Sequence, residues 1–375
     1  MIHYGRHDID EDDIAVVAEV LRGDWLTTGP SVDRFEADIS AFIGGHGVVA
    51  LSNGTAALHA AYAALGLGPG DEVITPPITF VATQAAAMHL GATPVFADVL
   101  EDTITLDPES VQRQITSRTR AIVAVDYAGH PAELDELRSI ATDAEVALVE
   151  DAAHSLGSFY RGRPVGSIAD LTTFSFYPTK NITTGEGGAV SGLDDALLTR
   201  ARRFARQGLV RNRDEFQIAG QGAWHQEVHE IGLNYRLPDF NAALGSRQLT
   251  KLSSFKAKRA AVKARYDGNL SSSGDLRLPT QRSYVDPMWH LYPLRVPAEA
   301  RAGIFARLRD AEVMVQVNYI PAYWHPALSH LAPIGTCPVA EAFYESEISL
   351  PMHTQLGDDD IDRVCEIVLE ALDAG

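Results

Sequence analysis

Cysteine is nearly absent from this 375-residue chain: Cys337 and Cys365 are the only two, with no CxxC pair. That excludes a disulfide scaffold and the common zinc modules. Positive charge is also scarce, with 31 Lys and Arg against 50 Asp and Glu, a formal charge of -19. Nucleic-acid binders carry a basic patch or stripe, and no Lys/Arg cluster here exceeds a helix face, so nucleic acid is not an expected partner. No apolar run approaches the ~18 residues that suggest a membrane span, and the opening MIHYGRHDIDEDD has no apolar signal core. The expectation is a cytoplasmic protein that neither crosses a membrane nor is secreted. In that setting the sequons at Asn53 and Asn181 are silent.

What is present is a long alternation of short apolar runs and helical periods. Runs at 48–51, 72–75, 94–97, 121–125 and 146–149 read as strands. Helices are expected at 56–65, 80–90, 108–115 and 131–144, the first stopped by the glycines at 66, 68 and 70. Near-continuous apolar strands between such helices imply a large, mostly parallel α/β sheet covered on both faces. After residue 249 the character shifts: one long helix is expected over 239–269, then strands at 291–296 and 313–319 and helices at 300–311 and 358–372. The expected division is a large domain, 1–250, with an N-terminal arm, and a smaller α+β domain, 251–375.

Ligands in parallel sheets bind beyond the carboxyl ends of the strands, so the residues just after each strand matter most. Leu51-Ser-Asn53-Gly54-Thr55 is a strand, a small-residue turn and a helix start, which is either an anion cradle or an ordinary capped helix. Val149-Glu-Asp151-Ala-Ala153-His154 ends another apolar strand. A carboxylate there needs a cation or a donor, and the ring nitrogen of pyridoxal phosphate (PLP) is one; a helix cap is the competing reading. The two alanines leave room for a flat ring. A third strand delivers Ser175, a Pro-broken loop delivers Lys180, and Gly185-Glu-Gly-Gly188 forces a turn. Lysine forms Schiff bases with carbonyls once its surroundings lower its pKa, and Ser175 suits a phosphate.

These segments, with Gly232-Leu-Asn234-Tyr-Arg236, Ala242-Ala-Leu-Gly245 and Trp289-His290-Leu-Tyr292, resemble the DegT–StrS family of PLP-dependent sugar aminotransferases. The likeness runs in order from near residue 2 to the C-terminus. The segments around Tyr4, Trp25–Pro30 and Asn318–Pro321 resemble those of enzymes that aminate C4 of nucleotide-linked 4-keto-6-deoxy sugars.

The resemblance implies PLP fold type I, the aspartate aminotransferase-like fold. It implies that Lys180 carries the cofactor as a Schiff base, Asp151 pairs with its ring nitrogen, and Gly54, Thr55 and Ser175 hold its phosphate. Phe80 would stack on the ring, with Ala153 and His154 beside it. Asn234 would reach the cofactor of a neighbouring subunit, which makes the protein a homodimer with shared sites. Tyr4, Thr28, His290, Tyr319 and His325 match positions that contact nucleotide or sugar. The implied reaction moves an amino group from an amino acid, commonly L-glutamate, to the ketosugar, with the cofactor alternating between PLP and pyridoxamine phosphate.

Three rivals are weighed against it. A sugar dehydratase of the same fold replaces the lysine, commonly by histidine. An amino-acid aminotransferase needs an arginine fork for the substrate carboxylate, and none stands at a diagnostic position. A non-catalytic PLP-binding regulator is disfavoured by the lack of a DNA-binding module. His225 and His229, spaced as on one helical face, lack the glutamate of a zinc-protease motif, so no metal is expected.

Overall fold

The computed structural model describes residues 1–373. Its centre is a seven-stranded sheet in the order Gly47–Leu51, Gly188–Gly192, Leu171–Ser175, Ala147–Asp151, Thr119–Val125, Glu72–Thr75, Thr93–Phe96. The five strands from Leu171–Ser175 to Thr93–Phe96 pair in parallel. The strand Gly188–Gly192, which the sequence patterning hid within a glycine-rich turn, runs antiparallel between Leu171–Ser175 and Gly47–Leu51.

Strand alternation explains how both sheet faces are covered. Ala121 and Val123 pack with Leu58, Tyr62 and Ala86 on one side. Ile122 and Ala124, their neighbours in the chain, pack with Leu134, Leu137 and Leu148 on the other. The helix Gly54–Leu65 is rich in alanine, which lets it lie close to the sheet, and Gly66 ends it at φ 77 in the left-handed region.

A second core gathers Tyr266, Leu270, Tyr292, Leu294, Ile304, Ile348, Val364 and Val368. It includes Ile2, whose backbone bridges Val313, so the first residues of the chain pack with the last third. The helix Leu252–Leu270 joins the two parts, with Leu252 and Phe255 in one core and Val262 to Leu270 in the other.

Three expectations need correction. The long helix over 239–269 is two helices, Asp239–Leu249 and Leu252–Leu270. The Thr250 hydroxyl bonds back to the Arg247 carbonyl at 2.6 Å, and Lys251 turns aside to meet Asp10 and Asp13. The stretch 313–319 is not a strand, and its pairing is limited to isolated bridges from Val313 and Gln316. Its ladder fails because the Asn318 amide donates to the Glu347 side chain and its carbonyl accepts from the Tyr127 hydroxyl. His225 and His229 do not share a helix; they flank Glu227 in a short strand, Glu227–Val228, and both rings meet its carboxylate.

Candidate active site

Sheet register sets the stage. Asp151 ends its strand opposite Val125 on one side and Thr173 on the other. Asp151 is 5% exposed, and its carboxylate accepts the Thr83 hydroxyl at 2.7 Å and the Ala153 amide at 3.2 Å. Among the described residues no cation lies within ion-pair distance of it. Burial therefore pushes its pKa above the usual carboxylate value, opposed by Thr83, Ala153 and the more distant Lys180.

Lys180 sits in the loop between the strands Leu171–Ser175 and Gly188–Gly192, its amide bonded to the Tyr177 carbonyl at 2.9 Å. The next residue pins the loop: Asn181 Nδ2 donates to the His154 and Leu156 carbonyls at 2.8 and 3.1 Å. Asn241 donates to the Thr184 carbonyl in the turn that follows. Burial lowers the Lys180 ammonium to about 8, while Asp151 acts in the opposite sense. An amine so poised is free base far more often than a surface lysine, as a nucleophile must be.

The strand and helix ends make a close cradle. A Cβ on Gly54 would lie 2.9 Å from Ser175 Cβ and 3.1 Å from its Oγ. A Cβ on Gly188 would strike the Asn53 carbonyl. The glycines let this turn, strand and helix start approach one another. Asn53 caps the helix by accepting the Ala56 amide at 2.8 Å, which leaves the Gly54 and Thr55 amides at its N-terminus.

On the other side stand three rings. The His154 and His290 rings lie 4.3 Å apart, and the Tyr319 hydroxyl lies 3.3 Å from His154 Nε2. Phe80, 60% exposed, meets Tyr319 edge to face at 6.3 Å. Burial, then the Lys180 charge, holds the His154 pKa well below 6.5; burial and His154 do the same for His290. The Nδ1 atoms of both histidines are buried without a partner.

Of the remaining expected residues, Tyr4 packs in the same cluster as Tyr319. Tyr4 places its hydroxyl 2.6 Å from Asn318 Nδ2. His325 follows the short turn Ala322–Trp324, which is tied to the Pro77 carbonyl through the Ala322 amide. Thr28 and Asn234 are exposed beside the strand Gly47–Leu51, whose Leu51 bridges Arg236. There Thr28 lines a groove of about 790 Å³ with Arg202, Arg206, Arg211 and Arg236, and Asn234 bridges Arg206. Thr83 and Asn181 are the contributors that sequence reasoning missed. The pair Thr79 and Thr83, one turn apart beside Phe80 and in mutual contact at 2.9 Å, was the available sign for the first.

These residues fit PLP. The buried Asp151 carboxylate has no cation within ion-pair distance among the described residues, the Gly54–Ser175 cradle suits a phosphate, and both histidines with partnerless nitrogens lie near enough to feel the Lys180 charge. Such a sheet with such a lysine defines a PLP-dependent aminotransferase of fold type I. The chain belongs to the DegT/DnrJ/EryC1/StrS aminotransferase family, whose model matches residues 7–369. It is similar to the spore coat polysaccharide biosynthesis protein SpsC of Bacillus subtilis, 36% identical over 371 residues and covering 96% of this chain and 94% of that one. Among solved structures, Spr1654 of Streptococcus pneumoniae in its PMP form matches with TM-score 0.94 at 31% identity over the full length of both chains. Spr1654 has also been solved in a PLP form. Helicobacter pylori PseC, an aminotransferase involved in the biosynthesis of pseudoaminic acid, matches with TM-score 0.92 at 31% identity over all of both chains. The protein is thus a PLP-dependent sugar aminotransferase.

Proposed function

We propose that the enzyme transfers an amino group from L-glutamate to the C4 keto carbon of a nucleotide-linked keto-deoxysugar, working as a cytoplasmic homodimer. The observation that carries this reading is the Lys180, Asp151 and His154 constellation beneath Tyr319. PLP supplies a carbonyl that condenses with amines and a ring that accepts the electron pair released at the adjoining carbon. Asp151 would keep the ring nitrogen protonated, and Gly54, Thr55 and Ser175 would hold the phosphate. Lys180 Nζ, released when the amino donor enters, takes the proton from the donor's α-carbon and returns one on the far side of the transfer. Running the same shuttle in reverse delivers the amine to the sugar. His154, kept neutral by burial, hydrogen-bonds to Tyr319 without competing for Asp151.

The nucleotide link is supported by the arginine groove. In a chain of net charge -19, Arg206, Arg211 and Arg236 gather beside Asn234 with no carboxylate within ion-pair distance among the described residues. Such a cluster suits a diphosphate. In a homodimer this face would complete the partner's site, through Asn234 and Thr28.

The test is a pair of half-reactions. L-Glutamate should bleach the absorption of the bound cofactor, and a 4-ketosugar nucleotide should restore it. Restoration by 2-keto acids alone, with every UDP- and TDP-linked ketosugar inert, would replace this reading with an amino-acid aminotransferase.

A further inference from the structure

We propose that Glu347 is a positioning residue for the reaction: it fixes the backbone at Asn318 and thereby sets the Tyr319 hydroxyl beside His154. The inference rests on the proposed function only in taking Tyr319 to face the reacting groups.

Glu347 begins the strand Glu347–Leu350 and is fully buried. Among the described residues no cation lies within ion-pair distance of it, Arg301 acting only from further off, yet one carboxyl oxygen accepts the Asn318 amide at 2.8 Å and the other meets the Ser349 hydroxyl. Asn318 is held at three of its polar atoms: the backbone amide, the backbone carbonyl and Nδ2. Its side-chain amide donates to the Tyr4 hydroxyl at 2.6 Å and to Ser349 Oγ at 3.0 Å, and its carbonyl accepts the Tyr127 hydroxyl at 2.5 Å. Three separate segments of the chain converge on one residue, and the next residue is Tyr319, 3.3 Å from His154 Nε2.

A buried carboxyl without a cation in direct contact is costly. Here it also draws the Asn318 amide out of the ladder that would have made 313–319 a regular strand. Such a strand would send successive side chains to alternate faces, whereas the observed loop turns Tyr319 inward. Burial raises the Glu347 carboxyl to about 8, so near neutral pH it holds a proton, and glutamine, likewise neutral and keeping an oxygen to accept the Asn318 amide, is its near equivalent.

That equivalence supplies the test, made on the holoenzyme with an amino donor and no sugar, so that an error in the sugar assignment leaves it intact. Glu347→Ala should slow the single-turnover donor half-reaction by ~10- to ~100-fold, the order of loss expected from misplacing a group by about 1 Å. Glu347→Gln should stay within about threefold of the parent. In a Tyr319→Phe background, Glu347→Ala should cost nothing further, because its effect passes through the hydroxyl already removed. Should Glu347→Ala fail to fold, Tyr127→Phe removes one hydroxyl from the same cluster and should show the same non-additivity. An undiminished rate in folded Glu347→Ala overturns the proposal. So do losses that multiply with Tyr319→Phe, which would make Glu347 a purely structural residue.

Discussion

Removing one hydroxyl from the helix behind Asp151 should weaken the enzyme's hold on its cofactor. Thr83 is 1% exposed and donates to the Asp151 carboxylate at 2.7 Å, so Thr83→Val keeps the shape and deletes the donor. The Ala153 amide, at 3.2 Å, would be the one remaining donor. A hydrogen bond to a charged group is worth ~1.5–3 kcal/mol, and at about 1.4 kcal/mol per pKa unit its loss moves Asp151 up by ~1–2 units. The direction adds to the rise that burial already causes. Because Asp151 titrates above its unfolded value, the folded apoprotein binds more protons than the unfolded chain between the two values. Its stability therefore falls as pH rises through that window, and the valine variant widens the window. Two measurements follow. PLP affinity, from absorbance titration of the apoprotein across about pH 5–8, should drop by up to ~10- to ~100-fold toward the acidic end, where Asp151 must lose a proton to meet the ring nitrogen and each added pKa unit, about 1.4 kcal/mol, is a factor of ten. The Tm deficit of the apoprotein should shrink as pH falls toward ~4, the unfolded carboxylate value. An affinity within twofold of the parent, with a Tm deficit that ignores pH, would refute the reasoning.

Lys180→Ala should lose multiple turnover, with at least the ~10²–10⁴-fold of a lost acid–base group, and substantial steady-state product from that variant would sink the assignment. The rate at which apoprotein captures PLP should rise with pH, pass half its plateau near pH 8 and level above it, because the neutral amine of Lys180 reacts and burial lowers its pKa to about 8; stopped-flow absorbance across pH 6–10 would show the midpoint. Gly54→Ala should destabilise the fold by ~1–3 kcal/mol in thermal unfolding and weaken PLP binding, since its Cβ would meet Ser175 Cβ at 2.9 Å. Mixing inactive Lys180→Ala and Asn234→Ala subunits should restore about a quarter of parent activity, because half the dimers then carry one site with both residues intact. No recovery after subunit exchange would argue against a shared site.

The parts of the molecule that were legible in the sequence are those where one local signal sufficed. Ala121 to Val125 is apolar on both faces because helices cover both faces, and an unbroken apolar run says so directly. Asp151 was readable because it follows such a run, and Ser175 and Lys180 because they follow a strand of β-branched and aromatic residues; strand ends are where a parallel sheet exposes its ligands. The strand Gly188–Gly192 was missed since its composition is that of a turn. Glycine is needed there because a Cβ at 188 would strike the Asn53 carbonyl, a contact across the chain that no local pattern announces.

The same reason hid the support around the site. Thr83 reads as an ordinary residue of an alanine-rich helix until Asp151, far along the chain, arrives at 2.7 Å. The stretch 313–319 has the alternation of a strand, and by intrinsic preference it is one. What overrides that preference is a competing acceptor, the Glu347 carboxyl, together with a competing donor, the Tyr127 hydroxyl. Both bond the backbone atoms that a neighbouring strand would have used. An irregular backbone survives in a buried place only when side chains satisfy its polar groups. Here Glu347 and Tyr127 satisfy the backbone while Tyr4 and Ser349 hold the Asn318 side chain, so the irregularity cannot be inferred from any one of these segments. The failed strand therefore marks where tertiary contacts have been arranged to aim Tyr319 at His154 rather than to extend the sheet.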